Sequence, residues 1–204
     1  DAATRGLRRI CELQRNSVLS FVYASAYEGH LVDMVRYAKE CGAYGVSVNF
    51  CAPGISTEGV DASCLVPTDT LIEEVVSTYD RIHDLTEGRI IYVIKHPLCM
   101  FPRRFIEKLR LRQQIATTCH LQHRTGAIIG HNGELTLCNH MAAFPVGKYG
   151  ADYTDGNSLL HLYDSPTVQR VFDKMKMYPS IRCRDCSVYE DCAGGCPILW
   201  TQHK

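Results

Sequence analysis

Over the first hundred residues, the spacing of apolar side chains switches between strand-like and helix-like. Residues 17–24, Ser-Val-Leu-Ser-Phe-Val-Tyr-Ala, are dense in β-branched and aromatic types and read as a buried strand. Between 28 and 41 the apolar positions fall at Leu31, Val32, Met34, Val35 and Ala38, which is a helical stripe, and Gly42 follows as a C-cap. Residues 44–50 form a second strand pattern. Residues 51–67, containing Pro53, Gly54 and Gly59, read as a loop. Thr68 or Asp69 then caps a predicted helix through Leu71, Ile72, Val75, Val76 and Tyr79 to about Thr86. Residues 89–95 are a third strand pattern, ended by His96-Pro97. Strands and helices alternating at this interval predict parallel βα units, with three parallel strands over residues 17–95 and helices on one face.

The second half is less regular. Residues 102–116 read as a basic helix carrying Arg103, Arg104, Lys108, Arg110 and Arg112. Such a face is solvated in most proteins, and the sharper alternative is a docking face for an acidic peptide or for the leader of a peptide substrate. Residues 126–130 and 134–138 flank His131-Asn132-Gly133 and predict a hairpin with an Asn-Gly turn. Residues 157–162 lead to Ser165-Pro166, a cap and first-turn proline that open a helix through Val168, Val171, Phe172 and Met175.

Composition narrows the function classes. The chain has 204 residues, 46% of them hydrophobic, enough for a core, and a formal net charge of zero. That balance gives no electrostatic case for nucleic acid or an anionic membrane. No apolar run approaches a membrane span. The first residues lack the charged and apolar regions of a secretory signal, so the eleven cysteines read as cytoplasmic thiols, better suited to metal than to disulfides.

Six of those cysteines fall into two ordered groups. Cys119 and Cys138 enclose Gly133, giving C-x13-G-x4-C, and Cys183, Cys186, Cys192 and Cys196 give C-x2-C-x5-C-x3-C. Thiolates are soft ligands that select zinc or iron–sulfur clusters, and four hold one [4Fe–4S] cluster. The C-x2-C turn sets two sulfurs on one side of a tight loop. Residues 187–191 supply about one helical turn that returns a third. Gly194 and Gly195 let the backbone take φ > 0 beside an inorganic centre. Zinc is the alternative metal, although zinc sites commonly pair C-x2-C with a second short pair that is missing here.

These two groups resemble the SPASM extension of radical S-adenosylmethionine (radical SAM) enzymes. The chain matches six cysteines and the glycine of that pattern, over roughly residues 117–204. The resemblance implies that residues 1–100 are the C-terminal βα units of a partial (βα)6, TIM-like barrel. Residues 101–118 would then be a linker helix, and 119–204 a small α+β SPASM domain with a β-hairpin. It further implies up to two auxiliary [4Fe–4S] clusters. Cys119, Cys138 and Cys196 would bind the one nearer the barrel, and Cys183, Cys186 and Cys192 the outer one, with Cys99 a further candidate ligand. Ser25 and Asn49, at strand ends, stand where such barrels contact S-adenosylmethionine.

The family's radical-generating C-x3-C-x2-C motif and its last cysteine are absent, so the chain reads as a fragment or a degenerate homologue. An intact parent would modify a peptide, a protein or a small precursor by radical chemistry, using S-adenosylmethionine and an electron donor such as flavodoxin or ferredoxin. The alternatives are a non-enzymatic iron–sulfur electron-transfer or scaffold module and a structural zinc domain. His120, His123, His131 and His140 lie near Cys119 and Cys138 in sequence and read as hydrogen-bonding or surface residues.

Overall fold

In the computed structural model, which describes residues 2–14, 16–117, 119–176 and 180–200, the elements alternate as the periodicity predicts. Helix α1 (Ala2–Leu13) precedes strand β1 (Val18–Tyr23), helix α2 (Leu31–Glu40) and strand β2 (Gly45–Phe50). A short hairpin follows, β3 (Gly54–Ser56) and β4 (Gly59–Asp61). Helix α3 (Thr68–Leu85), strand β5 (Ile90–Val93), helix α4 (Arg103–Leu111) and strand β6 (Ile115–Ala116) come next. The remainder comprises α5 (His120–His123), β7 (Ile128–Ile129), β8 (Glu134–Thr136), β9 (Gly147–Lys148), α6 (Gly156–Tyr163), α7 (Pro166–Lys176) and α8 (Tyr189–Cys192).

The chain divides into two compact units. One comprises residues 1–51 and 64–116, the other residues 52–63 and 117–204. The last four residues, which the SPASM resemblance includes, lie outside the described residues.

The first unit is mixed α/β around a four-stranded parallel sheet in the order β1-β2-β5-β6. Register sorts the side chains. Phe21, Val48 and Tyr92 lie in line across the sheet, and so do Val22, Asn49 and Val93 on the opposite face. Val46, Val48, Phe50, Ile90 and Tyr92 are all buried. The helices cover their face. Tyr79 of α3 lies 6.3 Å from Tyr92, ring to ring, and 5.4 Å from Phe105 of α4. Strands taken in chain order with right-handed crossovers put every connecting helix on one side. The other face carries Ser20, Ser47 and Asn49, and Val18, Val22 and Ile91 are exposed there.

The three crossover helices stop by one device. Ala43 donates to Ala38, Gly88 to His83 and Gln114 to Leu109, each backbone bond closing a Schellman turn. The residue before each donor is left-handed: Gly42 at φ +89°, Glu87 at +52° and Gln113 at +55°. Only the first is a glycine. The turn at Gln113 ends α4 at Leu111, so the basic helix does not run to Ala116 as its composition suggested. Ile115 and Ala116 instead pair with Tyr92 and Val93 as a fourth parallel strand. Gln114, buried between, accepts from the Tyr79 hydroxyl at 2.5 Å and donates to the Gly88 carbonyl at 2.7 Å.

Two other expectations fail locally. No side-chain cap opens α3: Thr68 is its first residue and Pro67 occupies the cap position. Residues 51–67 are not all loop, because β3 and β4 pair antiparallel there. That hairpin packs against the turn Asn139–Met141 within the second unit.

The second unit is built on the antiparallel sheet β7-β8-β9 and an apolar cluster of Leu121, Leu137, Val168 and Phe172. The hairpin joining β7 to β8 forms as the Asn-Gly signal predicts. Gly133 sits at φ +80°, and the Asn132 side chain accepts from the Glu134 amide at 3.1 Å. Helix α6 opens with a capping box between Asp155 and Ser158.

Candidate metal centre

The second unit brings residues from three separate stretches around Cys119, Cys138 and Cys196. Cys119 immediately precedes α5, and Cys138 follows the last residues of the β8 segment. Both pack against the cluster of Leu121, Leu137, Val168 and Phe172. The apolar residues beside each cysteine therefore set its place: Leu121 anchors one, Leu137 the other.

Cys196 is buried, only 8% exposed. Burial pushes its thiol up to about 11, and the charges of Cys119 and Cys138 push the same way. The backbone amides of Ile198 and Leu199 donate to its sulfur and pull against them. Cys196 thus lies within electrostatic reach of both other thiols.

Side-chain bonds hold the stretches together. Thr117 donates its hydroxyl to the carbonyl of Asp191. Gln122 donates to the carbonyl of Ala193 at 2.8 Å, and the Trp200 indole N–H donates to that of Gly194 at 2.9 Å. Residues on both sides of Cys119 are tied in this way to the chain on both sides of Cys192, Thr117 to Asp191 and Gln122 to Ala193. The loop from Cys192 to Cys196 reverses through three left-handed residues, Ala193 at φ +45°, Gly194 at +75° and Gly195 at +80°. The two glycines take this conformation as the sequence implied; Ala193 does so without glycine's freedom.

Cys183, Cys186 and Cys192 are arranged by consecutive turns. The Cys186 amide donates to the Cys183 carbonyl at 3.1 Å, and Tyr189 to Cys186 at 3.0 Å. The Cys192 amide donates to Val188 at 2.9 Å, closing the single turn of α8. Cys186 is exposed, Cys183 half-buried and Cys192 buried. Among the described residues, no three Cys, His, Asp or Glu side chains stand close enough to hold a single metal ion as they are.

The other candidates lie in the first unit. Cys99 is exposed in the short turn Leu98–Met100. Asn49 donates to the Ser20 hydroxyl at 2.8 Å on the open face of the sheet. Ser25, just past β1, donates its amide to the Cys64 carbonyl at 2.9 Å. In the second unit, His120 pairs with the Thr125 hydroxyl at 3.0 Å.

The donor chemistry, six thiols in two groups, is of the soft kind that iron–sulfur clusters and zinc take. Burial and the charges of Cys119 and Cys138 disfavour the Cys196 thiolate, and a cationic centre would relieve both. Amides donating to a ligand sulfur are one of the features that tune such centres. Sequence reasoning missed the bonds from Thr117, Gln122 and Trp200, which no spacing motif signals. No family model matches the chain, and no solved structure matches it.

Proposed function

We propose that the second unit is an iron–sulfur-binding module of the SPASM type. In this reading Cys119, Cys138 and Cys196 hold one cluster, and Cys183, Cys186 and Cys192 contribute to another. The first unit is then part of a partial βα barrel belonging to a radical SAM enzyme that acts on a peptide, a protein or a small precursor. The observation that carries the reading is that Cys119 and Cys138 pack on one apolar cluster while the buried Cys196 feels the charge of both. The one-sided covering of the parallel sheet supports the barrel, because such barrels turn the helix-free face inward. Ser20, Ser47 and Asn49 would then line the interior.

When bound, clusters of this kind supply electron transfer or a ligation point for substrate. The chain's own part is to shape the site. Cys196 offers a sulfur already bonded by two amides. Gly194 and Gly195 keep side chains away from it. Gln122 and Thr117 fix the loop against the Cys119 segment. The sequence holds no C-x3-C-x2-C run, so radical generation is not assigned to these residues.

Anaerobic reconstitution tests the reading. Iron and sulfide should bind stoichiometrically, and the reduced protein should give the electron paramagnetic resonance of [4Fe–4S] centres. Cys196→Ala should lower iron content, and Cys41→Ala, in the first unit, should not. Stoichiometric zinc without iron would sink the proposal and favour a structural zinc domain.

A further inference from the structure

Cys51 and Cys64 belong to neither cysteine group, yet their sulfurs lie 2.6 Å apart. A disulfide bond measures about 2.05 Å. The backbone accounts for the approach without reference to the sulfurs. The Cys51 amide donates to the Tyr23 carbonyl at 2.9 Å, and the Cys64 carbonyl accepts from the Ser25 amide at 2.9 Å. Both cysteines are thereby fastened to the same few residues at the end of β1. Each is half-buried, so small reagents have access.

Their position in the chain gives the contact a consequence. Residue 51 is the last of the first unit before the chain enters the second, and residue 64 is the first after it returns. The two cysteines form the neck of the 52–63 loop that carries the β3–β4 hairpin.

We propose that Cys51 and Cys64 form a reversible disulfide that closes this neck, a thiol-based modification site separate from the metal-binding cysteines. The chemistry is exchange with a small-molecule disulfide of the glutathione class. The thiolate of one cysteine attacks a glutathione sulfur, forming a mixed disulfide and expelling one glutathione thiolate. The thiolate of the other then attacks the protein-side sulfur and expels the second glutathione. The protein gives up two protons and two electrons, and one glutathione disulfide becomes two thiols. Excess reduced glutathione reverses both steps.

The test needs no iron. The purified chain is equilibrated in glutathione buffers of graded oxidation, quenched, alkylated and cleaved at Glu58 and Arg81. The expected result is loss of the two alkylatable thiols and a pair of peptides, one containing Cys51 and the other Cys64, that separate on reduction. Cys41→Ala should keep that linkage, since Cys41 shares a peptide with Cys51, and Cys51→Ser should abolish it. A chain nicked after Glu58 should run as one species without reductant and as two with it. Full alkylation of both cysteines in every buffer, a mixed glutathione adduct with no cross-link, or linkage to other cysteines would each overturn the proposal. Because the readout is covalent mass, it stands or falls independently of whether the second unit loads iron.

Discussion

Gln122 donates its side-chain amide to the backbone carbonyl of Ala193 at 2.8 Å, joining the helical turn after Cys119 to the loop between Cys192 and Cys196. The bond spans the stretches that carry Cys119 and Cys196. Gln122→Leu should therefore weaken the site more than the fold. A hydrogen bond of this kind contributes about 1 kcal/mol. Reconstituted protein should release iron to a chelator several-fold faster than wild type, with only a small shift in thermal midpoint. Unchanged release would mean that the loop is held without this contact.

Gly195 sits at φ +80° between two cysteines. Gly195→Val should force a β-branched residue into a left-handed conformation, at a cost of roughly 1–2 kcal/mol. Iron loading should fall, whereas the parallel sheet of the first unit should keep its circular dichroism. Loading at the wild-type level would show that the loop reverses by another route.

Glu74, on α3, accepts from the amides of Gly29 and Leu31 at 2.9 Å each and from the Tyr23 hydroxyl. It caps α2 from a different helix, since Leu31 is that helix's first residue. Hydrogen bonds to a charged group contribute about 1.5–3 kcal/mol. Glu74→Ala should lower stability by about 2–3 kcal/mol in denaturant titration. Tyr23→Phe combined with Glu74→Ala should cost less than the two singles summed, because both remove the same contact.

Tyr92 points into the first unit's core, and burial holds its phenol well above the ordinary tyrosine value. The folded chain keeps this proton at a pH where the unfolded chain, with an ordinary value of about 10, releases it. Stability from this group is therefore full below about pH 10 and falls as the pH rises further. The Tyr92 hydroxyl is also buried without a hydrogen-bond partner among the described residues. Tyr92→Phe should match or exceed wild-type stability at neutral pH and flatten the alkaline decline. A large loss at neutral pH would reveal a partner for the hydroxyl.

The parallel sheet was legible because its strands concentrate β-branched residues and α2 and α3 carry long apolar stripes. Helix α1 was not, since Arg5, Arg8 and Arg9 interrupt a face on which only Cys11 is buried. β3, β4, β6 and β9 are two or three residues each, too short for any period to register. β6 was further hidden by basic residues that extended the apparent helix past Leu111. The φ of Gln113 ends that helix with no glycine to announce it. At the candidate centre, spacing marked every cysteine of the two groups but not which ones meet. The grouping of Cys119, Cys138 and Cys196 came from the family resemblance, whereas the seating of Cys119 and Cys138 on one apolar cluster and the Gln122 bond to the loop before Cys196 are tertiary facts. Cys51 and Cys64 went unnoticed as a pair because their nearness is set by the end of β1.

The hairpin of residues 54–61 has one further consequence. It is encoded within the first unit's stretch of sequence, yet it packs on the turn that begins just after Cys138. A gene fragment cut cleanly at residue 117 would leave that turn stripped of its cover. A single cut in the gene therefore cannot lift out the cysteine-rich half with all of its own packing.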